Sequence, residues 1–147
     1  MKFPLEIPAY LVHRGSLREV VALGLHDELP GLEYLRELRR SNPKGYQILA
    51  AQISLLCNTP EIRAKTTFKL LDSTRQLYEF RTRFGLRLYC FLEGDTLVIL
   101  TNGGKKNTPR EQNRDIQRAK AQQDDFHRLM NQGATLRITV QDEDQIR

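Results

Sequence analysis

The sequence lacks any apolar run near the roughly 18 residues a membrane-spanning helix requires, and Met1 to Tyr10 has no basic region followed by an apolar stretch. The expectation is a cytoplasmic protein without a membrane partner. Cysteine is scarce. Cys57 and Cys90 stand alone, with no second Cys or His at metal-ligand spacing, so both read as reduced core residues rather than as a disulfide or a zinc site. His13, His26 and His127 are scattered, and there is no HxxxH pair, no P-loop, no GxSxG and no Gly-rich dinucleotide fingerprint. His127 falls near the end of a predicted helix and reads as a surface histidine, with proton donation as the alternative. These gaps leave no metal, cofactor or small-molecule ligand to predict.

What is present is a chain of 147 residues, 39% hydrophobic and 28% charged, sized for one domain and too apolar for wholesale disorder. The formal net charge is +5, so an anionic partner is plausible. Its distribution is uneven. From Arg63 to Arg87 seven basic residues face only Asp72 and Glu79, whereas the end of the chain carries Asp142, Glu143 and Asp144.

Periodicity gives an ordered set of elements. Phe3 to Val12, interrupted by Pro4 and Pro8, permits an edge strand or an extended arm but no central strand. Ser16 and Glu19 have capping-box spacing ahead of Val20, Val21 and Leu25, which predicts a first helix ending before Pro30. A second helix is predicted from Gly31 to Arg40 and a third from Pro43 to Cys57, the latter with Ile48, Ala51, Gln52, Leu55 and Leu56 along it. The period then becomes alternating, with strands at Thr66–Leu71, Gln76–Thr82, Leu86–Leu92 and Thr96–Thr101. Thr108-Pro109-Arg110-Glu111 opens a helix with Ile116, Ala119, Phe126 and Met130 as its buried stripe and Gly133 as its C-terminal cap. Leu136, Ile138 and Val140 alternate as a short last strand.

The chemistry-bearing positions cluster on the strands. If Arg83-Phe84-Gly85 is a three-residue hairpin loop with Gly85 left-handed, Arg81 lies opposite Arg87 and Glu79 beside Tyr89. Like charges at paired positions destabilise a sheet, so such a pair implies either an anion to bind or a carboxylate to share. The plainer alternative is a polar sheet face on which both arginines are solvated. Asn102-Gly103-Gly104 reads as a loop that brings Lys105 and Lys106 to the start of the next helix, a favourable place for phosphate.

The strings Leu77-Tyr78-Glu79-Phe80-Arg81, Arg87-Leu88-Tyr89 and Lys105-Lys106-Asn107-Thr108-Pro109, in this order around the Thr96–Leu100 strand and ahead of a helix bearing Ala119, resemble the RelE/HigB toxin family. The likeness is to its phage-type HigB branch and covers about Gly31 to Met130. It departs from the family pattern at Gly103, where an aromatic residue is usual, and at Phe80, where leucine is usual. The resemblance implies an α+β fold of the RelE/ParE type: an N-terminal helical hairpin packed on a small antiparallel sheet, followed by a C-terminal helix. Residues 1–147 would then form one domain, with 1–30 as an N-terminal extension of arm and helix, 31–130 as the core and 131–147 as a strand or tail.

The implied activity is that of a toxin that cleaves messenger RNA on the ribosome, needs no metal, arrests growth and is silenced by a helix-turn-helix antitoxin. The reaction would be attack of a ribose 2′-hydroxyl on the adjacent phosphate with expulsion of the leaving oxygen, and it needs a proton acceptor for the hydroxyl and a donor to that oxygen. Arg81 and Arg87 carry over as phosphate clamps, Lys105 or Lys106 as phosphate contact or proton-transfer partner, and Tyr89 as a stacking or orienting group. Lys69, Arg83, Arg110 and Arg114 are further candidates for RNA contact. Two other functions stay open: a gyrase-poisoning ParE-like toxin, and a non-catalytic RNA-binding regulatory module.

Overall fold

The computed structural model of the chain describes residues 5–61, 67–105 and 108–146. Its elements in order are β1 (Glu6–Arg14), β2 (Glu19–Leu23), α1 (Pro30–Ser41), α2 (Pro43–Asn58), β3 (Phe68–Asp72), β4 (Leu77–Arg81), β5 (Leu86–Glu93), β6 (Leu97–Lys105), α3 (Pro109–Asn131) and β7 (Thr135–Thr139), with a last 3-10 turn at Asp142–Asp144. The strands form one sheet in the order β3-β4-β5-β6-β2-β1-β7. The meander β3 to β6 and the β1–β2 hairpin are antiparallel, while β2 runs parallel to β6 and β1 parallel to β7.

This arrangement corrects the fold expected from the resemblance. The helical hairpin is not N-terminal, because two strands precede it, and the sheet is neither small nor purely antiparallel: it is mixed and has seven strands. The segment predicted as a first helix is strand β2. Four of its five residues are buried, as expected of a strand packed on both faces, whose near-continuous apolar run gives no alternating signal. Ser16 and Glu19 do not cap a helix; the Gly15 amide donates to the Arg18 carbonyl at 2.9 Å to close a hairpin, and Glu19 pairs across it with Arg14 at 2.8 Å.

β1 is likewise an interior strand, flanked by β2 and β7. Pro8 is tolerated there for a local reason. Its carbonyl accepts from the Gly24 amide at 2.8 Å, one residue past the end of β2, so its missing donor faces the place where that ladder has already stopped.

Two layers of helix cover the sheet. On one face α1 and α2 pack Leu32, Leu35, Leu38, Leu49 and Ile53 against Val20, Phe80, Leu88, Val98 and Leu100. On the other, α3 packs Ala119 and Phe126 against Leu77, Tyr89, Phe91 and Ile99. Asn42 joins the first two helices compactly: its amide donates to the Leu38 carbonyl at the end of α1, and its side chain accepts from the Gly45 amide at the start of α2. The buried face of α2 is Leu49, Ile53, Leu56 and Cys57, so the expected stripe is displaced and Ile48 and Leu55 are exposed. Thr108 caps α3 as predicted, accepting from the Glu111 amide at 3.2 Å. Met130, expected in its buried stripe, is exposed. No helix among the described residues is long and apolar enough to cross a membrane.

Candidate nucleic-acid interface

The β4–β5 hairpin positions the candidate side chains. Thr82 pairs with Leu86 through backbone and hydroxyl bonds, leaving Arg83-Phe84-Gly85 as the loop, and Gly85 takes φ +87°. A left-handed residue at that point fixes the register of everything before it. Arg81 accordingly lies opposite Arg87, and Glu79 opposite Tyr89, with Lys69 on the far side of Glu79 in β3. Alternation then puts Lys69, Glu79, Arg81, Arg87 and Tyr89 on the α3 face of the sheet.

That face is not a solvated one. Glu79 and Tyr89 are fully buried, and Arg87 is only 7% exposed. Arg87 Nη1 donates to Glu79 Oε1 at 3.0 Å, and Arg81 Nη1 approaches the same oxygen at 3.7 Å. The two arginines thus share a carboxylate. Among the described residues, Glu79 Oε2, Arg87 Nε and the Tyr89 hydroxyl are buried without a hydrogen-bond partner. A close-packed interior rarely keeps such groups together. Burial, reinforced by the Glu79 charge, pushes the Tyr89 phenol well above its ordinary value, so it stays a neutral hydroxyl rather than a proton acceptor.

Arg81 and Arg87 open on one groove of about 630 Å³ at the hairpin end of the sheet. Thr82, Arg83 and Phe84 of the turn form one side, and Ile48 and Gln52 of α2 the other. Gln52 ties the sides together by donating to the Arg81 carbonyl at 3.0 Å. Arg83 and Lys69 are exposed, at the rim and on the edge strand respectively.

The lysines are placed differently. Asn102-Gly103-Gly104 is not a loop: β6 runs on to Lys105, pairing Leu88 with Gly103, Arg87 with Gly104 and Leu86 with Lys105. The glycines serve packing. A side chain at Gly103 would strike the Tyr34 ring of α1, and one at Gly104 would strike the Asp115 carboxylate of α3. Opposite Leu86, Lys105 belongs to the α1–α2 face, whereas Arg87 belongs to the other, so the strand register does not bring them together. Lys106 lies outside the described residues. Arg110 and Arg114 are exposed on the solvent side of α3, away from its buried residues.

Several groups escaped sequence reasoning. Tyr34 donates to the Gly104 carbonyl at 3.0 Å, and burial pushes its phenol up to about 12. Asp115 over Gly104 is raised by burial, against the opposing pull of Arg118 and Arg114. Phe84 and Gln52 line the groove but belong to no motif. The glycine pair was the only signal that could have located Tyr34 and Asp115, since it marks a close approach by something else. Among the described residues no three His, Cys, Asp or Glu side chains are grouped to hold a metal ion. No protein-family model and no curated protein matches the chain.

Proposed function

We propose that this protein is a translation-inhibiting endoribonuclease of the toxin type, acting on messenger RNA at the ribosome and held in check by a cognate antitoxin. The observation that carries the reading is the Arg81–Arg87 pair, held face to face across β4 and β5 over a shared carboxylate and opening on a single groove. A sheet keeps two cations so close at a cost in stability, and an anion entering the groove relieves it. Guanidinium suits a phosphodiester because it donates in pairs to phosphate oxygens and strengthens its hold as the transferring phosphate gains charge. In this reading Arg81 and Arg83 take the phosphate, and Arg87, braced by Glu79, stabilises the transition state from behind.

The test is purified protein with translating ribosomes. Discrete cuts in the message are expected, and Arg81→Ala is expected to lower the cutting rate by about a hundred-fold or more. Intact message with the unaltered protein overturns the reading, as does undiminished cutting by Arg81→Ala. In cells, induction should arrest growth, and a neighbouring small helix-turn-helix protein should rescue it.

A second reading has its own support. Among the described residues, Lys105 is in register with Leu86 rather than with Arg87, which favours a groove that holds phosphate without Lys105 as a proton-transfer partner. A non-catalytic RNA-binding module has that arrangement. It predicts salt-sensitive RNA binding with no cleavage by any preparation.

A further inference from the structure

The tip of the β4–β5 turn carries a feature that phosphate binding alone does not explain. Phe84 is 65% exposed and is the one aromatic among the large exposed hydrophobic side chains of the described residues. Its two flanks are polar: Arg83 precedes it, and Arg81, Thr82 and Arg87 lie behind it in the groove. Across the groove stands Ile48, an apolar side chain also left in solvent. Two apolar walls over a cationic floor match the two halves of a nucleotide, a flat base with no charge and a phosphate with one. The groove volume, about 630 Å³, falls within the roughly 300–1,000 Å³ typical of small-ligand sites.

We infer that Phe84 is a stacking platform, and that the groove takes an unpaired base of single-stranded RNA on the Phe84 ring with the flanking phosphate on Arg81 and Arg83. This rests on the preceding section in taking RNA as the ligand, but not on cleavage. Charge complementarity sets the polyanion, and the exposed ring sets the single strand, because bases in a duplex have both faces covered by their neighbours. A base edge is not read by this geometry, so the preference is for strandedness rather than for sequence.

The chain contains no tryptophan, which makes the test direct. Phe84→Trp in the full chain places a single indole at the turn tip, an exposed position, and circular dichroism checks that the fold is kept. Titration with a single-stranded decaribonucleotide should quench its emission saturably, whereas the same sequence as a duplex, or inorganic tripolyphosphate, should leave it nearly unchanged. By anisotropy of a labelled strand, Phe84→Ala should weaken binding about ten-fold with its salt dependence unaltered, Phe84→Tyr should retain binding, and Arg83→Gln should reduce the salt slope. The inference is overturned if emission does not move when anisotropy shows the strand bound, if duplex and single strand bind alike, or if no RNA binds. Quenching without any cleavage on ribosomes sinks the enzyme reading and leaves this one standing. Cleavage undiminished by Phe84→Ala does the reverse.

Discussion

Arg18 and Arg87 are equally buried, each 7% exposed, yet their surroundings differ in kind. Among the described residues Arg18 has no carboxylate partner. Its guanidinium instead donates to four backbone carbonyls, Leu56 and Thr59 at 2.7 Å each, Pro60 at 2.9 Å and Asp95 at 3.0 Å. It ties the C-terminal end of α2, where orphan carbonyls and the helix dipole favour a cation, to the β5–β6 turn. Arg87 has a carboxylate partner but keeps Nε unpaired, beside an unpaired Glu79 oxygen and an unpaired Tyr89 hydroxyl. A buried cation whose three nitrogens all donate has a structural task. One whose neighbourhood keeps polar atoms unused is arranged for something else, and here that neighbourhood borders the groove.

The contrast predicts opposite responses to neutral replacement. Arg18→Met keeps most of the volume and strands four carbonyls, so it should cost about 4 kcal/mol of folding stability, read as a lower urea midpoint with little change in slope. Cleavage by the fraction still folded should be normal. At the other site, Arg87→Met alone leaves Glu79 as a buried charge without its hydrogen-bonded guanidinium, at a cost of about 3 kcal/mol. Adding Glu79→Leu should bring stability back to within about 1 kcal/mol of the parent, because a buried ion pair exchanged for apolar residues of similar size is close to neutral. The double variant should nonetheless fail to cut message. A stable double variant that still cuts would make Arg87 as structural as Arg18 and remove the distinction.

How much of this was legible in the sequence follows the same line. The Arg81–Arg87 pairing and the left-handed Gly85 could be read, because a three-residue turn between two alternating strands fixes register by local rules. Thr108 as the cap of α3 was legible for the same reason. Arg18 was not: its partners lie about forty to eighty residues away and are backbone atoms, which no side-chain pattern announces. β2 was misread because burial on both faces erases alternation, and the continuation of β6 because Gly103 and Gly104 look like loop until Tyr34 and Asp115 are seen to occupy the space. The parallel pairs that make the sheet mixed come from strands far apart in the chain, so the overall topology went beyond what local period could give. That Glu79 and Tyr89 would be fully buried rather than open to solvent was hidden for the same reason.

Tyr89→Phe gives a smaller effect. Its hydroxyl is buried without a partner, so deleting it should raise stability by about 1 kcal/mol, seen as a higher thermal midpoint. No comparable gain is available around Arg18, each of whose nitrogens donates. If Tyr89→Phe instead destabilises the protein, its hydroxyl has a partner in solution and the neighbourhood of Arg87 is as satisfied as that of Arg18.

A third arginine, half in solvent, gives the smallest effect and calibrates the other two. Arg36 of α1 donates from Nε and Nη2 to the two oxygens of Asp144 at 2.8 and 2.7 Å, fastening the end of the chain, whose Ile146 amide bonds the Val12 carbonyl at 2.7 Å. Asp144 is buried, but the Arg36 side chain is 43% exposed, so screening limits the pair to about 1 kcal/mol. The Arg36 hydrogen bonds hold the Asp144 carboxyl below its usual range. A carboxyl with a lowered native value adds stability above its ordinary pKa of about 3.9, and that stability is lost as pH falls through the lower native value. Asp144→Asn should therefore lower the urea midpoint at pH 7 but have progressively less effect below about pH 4, as the parent's own carboxyl is protonated. A difference that persists undiminished at pH 2.5 would mean that packing of the chain end, not the charge on Asp144, supplies the stability. Arg36 would then be only a lid over apolar contacts, and the graded series from solvated to buried arginine would lose its exposed end.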